Sequence, residues 1–182
     1  MTADESDDAR VTLVRQHVRS IPDFPKPGIL FRDITPGLGH REAMSAALEL
    51  HLERARKLGE SFDRVCGIES RGFLFGMALA ERLGAGFVPV RKPGKLPAET
   101  IEESYALEYG TDRLQIHVDA ITSGQNVLVV DDLLATGGTA ATTCKLIRRL
   151  GGNVVGCVFL VELVALGGRD RVGVPVESIL EF

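Results

Sequence analysis

The chain has 182 residues, 45% hydrophobic and 25% charged, with a formal net charge of −4, which suits one α/β domain with a core of its own. The acidic balance argues against a duplex-DNA binder, whose affinity needs a broad basic face, and no apolar run approaches the roughly 20 residues of a membrane span. The acidic start (Asp4, Glu5, Asp7, Asp8) is unlike a signal peptide, and Cys66, Cys144 and Cys157 suggest neither a disulfide framework nor a metal site, so the cytoplasm is the expected compartment.

Residues 1–8 read as a disordered acidic tail, followed by a helix over 9–19 with Val11, Val14 and Val18 on one face. The segment 21–39 carries Pro22, Pro25, Pro27, Gly28, Pro36 and Gly37, so long regular structure is not expected there, only a short extended piece at 29–32. A second helix fits 42–58 and ends at Gly59. Strands follow at 64–68 and 87–90, with a helix at 73–83 between them. Residues 92–111 are polar and turn-rich, with only short alternating stretches. Beyond lie a strand at 127–130, a helix at 140–150 closed by Gly151-Gly152, and strands at 154–161 and 176–180. Alternation of strand and helix from residue 64 predicts an α/β fold with a mainly parallel central sheet and helices on both faces, in one domain over 9–182.

Most of the chemistry sits in Val127-Leu128-Val129-Val130-Asp131-Asp132-Leu133-Leu134-Ala135-Thr136-Gly137-Gly138-Thr139. Its four aliphatic residues suit a strand buried on both faces. The strand is expected to stop at Asp131 and Asp132, which are costly to bury unpaired and belong at the carboxyl end of a sheet, where open α/β folds bind ligands. The loop Ala135, Thr136, Gly137, Gly138 and Thr139 then opens a helix. Its glycines permit close backbone approach, its hydroxyls add donors, and the helix amino terminus favours an anion such as a phosphate monoester. An isolated Asp-Asp or Gly-Gly would read as a capping turn. The Lys-Ser/Thr of a Walker loop and the spacing of a dinucleotide fingerprint are both missing.

Two further segments are chemically loaded. Glu69-Ser70-Arg71-Gly72 follows the 64–68 strand and reads alone as a helix cap at Ser70, with Glu69 completing the turn. Arg91, Lys92 and Lys95 form a basic cluster, and a solvated face is an equal reading of Lys92. His17, His40, His51 and His117 fit no triad or metal spacing.

Four aliphatics, two acids, two aliphatics and Ala-Thr-Gly-Gly-Thr resemble the diphosphosugar-binding signature of the type I phosphoribosyltransferases. The resemblance implies that family's fold. It implies that Asp131 and Asp132 hold the ribose hydroxyls of phosphoribosyl pyrophosphate, and that Ala135, Thr136, Gly137, Gly138 and Thr139 hold its 5′-phosphate. It places Glu69, Ser70 and Arg71 in the pyrophosphate loop, with a cis peptide between Glu69 and Ser70, and gives Arg91 and Lys95 a share of the diphosphate. Glu69 stands where related sequences often carry Asp, which leaves the chemistry of the loop intact.

Two more segments resemble the adenine-using branch of that family. The run from Pro22 to Pro36, around Phe24-Pro25-Lys26-Pro27-Gly28-Ile29-Leu30-Phe31-Arg32, is similar to its amino-terminal purine element and implies that Leu30, Phe31 and Arg32 bind adenine. A carbonyl and an N–H on one strand edge would read N6 and N1, a pattern that a 6-oxopurine reverses. The segment from Gly94-Lys95-Leu96-Pro97 to Ser104-Tyr105-Ala106-Leu107-Glu108-Tyr109-Gly110 is similar to that branch's hood. It implies a flexible lid over 92–112, an irregular loop that keeps water from a ribosyl cation. Glu108 is then the acid/base group, with Tyr109 at the closed site. The resemblance as a whole implies synthesis of AMP and pyrophosphate from adenine and phosphoribosyl pyrophosphate. Mg²⁺ would be carried mainly by the donor without direct protein ligands, in a homodimer with neither nucleic acid nor membrane as partner. A 6-oxopurine transferase, or a regulator that senses phosphoribosyl pyrophosphate without turnover, would share the donor site.

Overall fold

A computed structural model describes residues 8–106 and 111–182, which fall into two compact units parting between Leu50 and His51. The first unit opens with helix α1 (Ala9–Gln16). Asp8, expected in a disordered tail, caps this helix instead. Its carboxylate accepts the Arg10 N–H at 2.8 Å and pairs with the Arg10 guanidinium at 2.6 Å. The rest of that tail lies outside the described residues. Val11 and Val14 are buried as expected, but the helix ends before Val18 and Arg19 already belongs to strand β1 (Arg19–Pro22).

Strand β1 pairs antiparallel with β2 (Leu30–Asp33), setting Ser20 opposite Arg32 and Pro22 opposite Leu30. Pro25, Pro27 and Gly28 lie in the connection of this short ribbon, where they cost the ladder nothing. There the Asp23 carboxylate accepts the Gly28 N–H at 2.7 Å, and the Phe24–Pro25 bond is cis. Hydrogen bonds from the Thr35 hydroxyl and N–H, then from Arg19, hold the Asp33 carboxyl down to about 2. Helix α2 (Thr35–Gly39) leads into α3 (Arg41–Leu58), whose first turn gives the Ala43 N–H to His40 Nδ1 at 3.3 Å. Buried Ala43, Ala46, Ala47 and Leu50 recur at the three- and four-residue spacing of one helix face.

The second unit is built on a parallel sheet. Its strands are β3 (Arg64–Ile68), β4 (Gly86–Val90), β7 (Asn126–Leu134), β8 (Asn153–Glu162) and β9 (Val176–Glu181), in the order β4-β3-β7-β8-β9. Helices α4 (Gly72–Leu83), α5 (Gly138–Arg149) and α6 (Gly168–Val172) flank it. Connections β3-α4-β4 and β7-α5-β8 run outward in opposite directions, so right-handed crossovers set α4 and α5 on opposite faces. Val127 to Val130 have no exposed surface, as strand residues covered on both sides should. Cys66, Cys144 and Cys157 are free and buried. Among the described residues no helix is long and apolar enough to cross a membrane.

Two expectations are corrected here. Strand β7 does not stop at its acids but continues through Asp131, Asp132 and Leu133 to Leu134. The neighbouring β8 runs equally far, pairing Phe159 with Asp131 and Val161 with Leu133, and a broken ladder beside it would leave backbone groups unmet. The segment 92–112 is not an irregular loop either. Strand β5 (Thr100–Ala106) pairs antiparallel with β6 (Thr111–His117) over its whole length. Leu114 and Ile116 bury on one face of β6, while Gln115 between them exchanges backbone bonds of 2.7 and 2.9 Å with Arg91. The short helix α6 and the single 3₁₀ turn before it, Val164–Leu166, have no counterpart in the sequence expectations.

Candidate active site

Between β3 and β7 the order of the sheet reverses, and the two strands' carboxyl ends open a crevice there. A cleft of about 470 Å³ fills it, lined by Glu69, Ser70 and Arg71 after β3 and by Asp131 to Thr139 at the carboxyl end of β7 and in the loop beyond it. The pyrophosphate loop, acid pair and phosphate loop of the sequence reading therefore share one cavity. The bond between Glu69 and Ser70 is cis, as the resemblance implies.

Gly72 sets how closely the first loop approaches the acids. A Cβ there would lie 2.7 Å from the Val130 carbonyl and 2.9 Å from Asp131 Oδ1. Gly72→Ala is therefore expected to cost about 1–3 kcal/mol of stability by overpacking and to raise the donor KM, read by urea unfolding and initial rates. Arg71 spans the gap in turn, its Nε 2.8 Å from Asp132 Oδ2. Asp132 is buried, and burial raises its carboxyl above the usual range while Arg71 pulls the other way. Asp131 is pushed up further, first by burial and then by the charge of Asp132. Its Oδ1 accepts the Asp132 N–H at 2.9 Å. Such a carboxyl pair gains most from a cationic or hydroxyl-bearing ligand placed against it.

Beyond the acids the chain turns at Gly137, with φ of +76°, into the amino terminus of α5. Positive φ there needs glycine, and so does space, because a Cβ on Gly137 would collide with the Gly168 carbonyl and one on Gly168 with that of Ala135. Gly168 at the start of α6 thus walls the back of the cup. The first N–H groups of a twelve-residue helix open into it, where they would favour an anion.

The basic cluster divides differently from the sequence expectation. Arg91 donates to Glu69 Oε1 at 3.1 Å and to the Lys95 carbonyl at 2.9 Å, so it braces the loop. Burial of Glu69 is outweighed by the Lys92 N–H and by Arg91, which hold its carboxyl low. Lys92, whose solvated-face reading stood equal to a ligand role, lines the cleft, and its Nζ lies 3.1 Å from Asp112 Oδ2. Neither Arg91 nor Lys95 belongs to the lining. Tyr105, quoted above only as part of the hood motif, lines it as well. Its position became visible only once β5 and β6 were paired.

Glu108 and Tyr109 lie outside the described residues. Leu30, Phe31 and Arg32 belong to the first unit, on β2, whose other edge carries no strand among the described residues. Phe31 meets Phe24 edge to face at 5.1 Å, and Arg32 donates to Ser20 Oγ at 2.5 Å. Leu30 is half exposed.

Parallel sheet, switch-point cleft and phosphate cup agree with the sequence profile of the phosphoribosyl transferase domain, which matches residues 38–174. An adenine phosphoribosyltransferase of Shewanella amazonensis is 55% identical over 175 residues, covering 94% of this chain and 96% of the relative. The crystal structure of adenine phosphoribosyltransferase from Thermoanaerobacter pseudethanolicus superposes with a TM-score of 0.91 at 51% identity, over 94% of this chain and 99% of that one. That from Saccharomyces cerevisiae gives 0.87 at 42% identity, over 94% and 98%. The chain belongs to the adenine phosphoribosyltransferase family.

Proposed function

We propose that this chain transfers the phosphoribosyl group of phosphoribosyl pyrophosphate to N9 of adenine, giving AMP and pyrophosphate in purine salvage. The observation that carries the reading is the convergence of acid pair, phosphate cup and Glu69–Arg71 loop on one cleft. The Saccharomyces cerevisiae relative is known in complex with adenine and a 1,6-bisphosphate, D-2,5-dideoxy-2,5-imino-altritol 1,6-bisphosphate.

In this reading the cup of Ala135 to Thr139 holds the 5′-phosphate, which never reacts, so its binding energy orients C1′. Asp131 and Asp132 accept the ribose hydroxyls and oppose the positive charge that develops on the sugar. Ser70, the loop amides and Lys92 receive the leaving diphosphate, while Glu69, Arg91 and Lys95 hold the loop in place. Leu30 and Arg32 offer adenine a carbonyl and an N–H from β2. Glu108 exchanges the proton of the imidazole edge, and Tyr109 packs at the closed site.

Among the described residues no three His, Cys, Asp or Glu side chains gather as a metal cage. Two adjacent acids fit a Mg²⁺ that arrives with oxygens of the diphosphate and ribose. When bound, it would neutralise charge on the leaving group. A homodimer belongs to the reading, because Leu74 and Met77 on α4 are 47% and 56% exposed and present an apolar face suited to a second copy. A cytoplasmic setting does too, in keeping with three free thiols.

Steady-state rates with adenine, guanine and hypoxanthine test the proposal. Adenine should be preferred by at least tenfold in kcat/KM, and faster turnover of guanine would overturn the assignment of Leu30 and Arg32. Glu108→Ala should lower kcat by about 10²–10⁴-fold, the range of a positioned proton-transfer group. Full kcat in that variant would remove Glu108 from the mechanism.

A further inference from the structure

Tyr105 faces Asp112 across the β5–β6 ladder, and its hydroxyl lies 3.2 Å from Asp112 Oδ2. On its other side the Thr139 hydroxyl donates to it at 3.4 Å. The ring lies against the start of α5, since a Cβ on Gly138 would be 3.3 Å from Tyr105 Cδ2. The Asp112 oxygen that meets Tyr105 also takes Lys92 Nζ at 3.1 Å. Lys92 is tied in turn to the other loop, giving its N–H to Glu69 Oε2 at 2.8 Å. An unbroken polar chain therefore runs from the Glu69–Arg71 loop through Lys92, Asp112 and Tyr105 to Thr139 in the phosphate cup. Burial raises the Tyr105 hydroxyl above its ordinary range, so it stays protonated and can donate to Asp112 while accepting from Thr139.

We propose that Tyr105 is a positioning residue for the sugar donor, holding the base of the hood on the 5′-phosphate cup through Thr139 and keeping Lys92 at the diphosphate end through Asp112. The proposal rests on reading that cup as the 5′-phosphate site. The donor carries phosphate at both ends of one ribose, so a brace between the two grips fixes their separation, and adenine makes no use of it.

Tyr105→Phe keeps the ring and removes the hydroxyl. Its donor KM should rise about five- to tenfold, the scale of one lost hydrogen bond, with adenine KM within twofold of wild type and the melting temperature unchanged. Added to Thr139→Val, it should raise donor KM by less than a further twofold, because that link is already cut. The proposal is overturned by an unchanged donor KM, by multiplicative effects of the two substitutions, or by both substrates' KM rising together as the melting temperature falls. Wild type that makes no AMP from adenine would overturn the proposed function along with it, whereas active wild type with an indifferent Tyr105→Phe overturns this inference alone.

Discussion

Asp131→Asn is expected to lower kcat for AMP synthesis by about 10²–10³-fold, the cost typical of removing one preorganised charge-stabilising group. The substitution is nearly isosteric, and Oδ1 can still accept the Asp132 N–H, so little stability should be lost. The same position shapes the pH profile. Burial and Asp132 push the Asp131 carboxyl well above its ordinary value. Below the ordinary carboxylate range both folded and unfolded chains hold the proton. Between that range and the raised value the unfolded chain ionises first, so folding stability falls as pH rises through this window and levels off above it. In the proposed mechanism, the charge that opposes a ribosyl cation exists only above the window. The acidic limb of kcat/KM should therefore sit above the usual carboxylate range in wild type and move or flatten in Asp131→Asn. An acidic limb identical in both would assign it to another group.

Gly137→Ala should be strongly damaging. The residue sits at φ +76°, where a side chain costs about 1–2 kcal/mol, and the new Cβ would collide with the Gly168 carbonyl, adding about 1–3 kcal/mol of overpacking. A melting temperature lower by several degrees is expected, at roughly 2–4 °C per kcal/mol for a chain of this size. Donor KM should rise more than 100-fold because the cup itself is displaced. Gly124→Ala provides the control, with φ of +85° but nothing within 4 Å of the added Cβ. It should show the backbone cost alone and leave donor KM as in wild type. Equal donor KM in the two variants would show that the wall behind Gly137 does not shape the cup.

The cup and the acids are legible in sequence because their chemistry is local. Thirteen consecutive residues hold strand, charges, turn and helix start, and a short-range pattern carries the whole arrangement. The hairpin was hidden for the opposite reason. Each of its strands places only two or three apolar side chains on the core face, and Glu102, Glu103 and Arg113 dominate the rest. Its regularity comes from cross-strand pairs such as Arg113 with Glu102 at 2.8 Å, which no periodicity announces. The extension of β7 through its acids was missed because the cost of burying charge was weighed and the partner ladder of β8 was not. Lys92 and Tyr105 gain their places from Asp112, far along the chain and across a ladder. Gly168 carries no local signal, because its contacts with Ala135 and Gly137 arise only when α6 packs back against the loop.

That last contact bears on how the protein comes into being. The motif that marks the site is complete by Thr139, but the surface that props it up is contributed by Gly168. A nascent chain halted on the ribosome after α5 would already display the acids and the helix amino terminus with nothing behind them. Competence to grip the donor would thus arrive late in translation, when the segment after β8 emerges and seats itself.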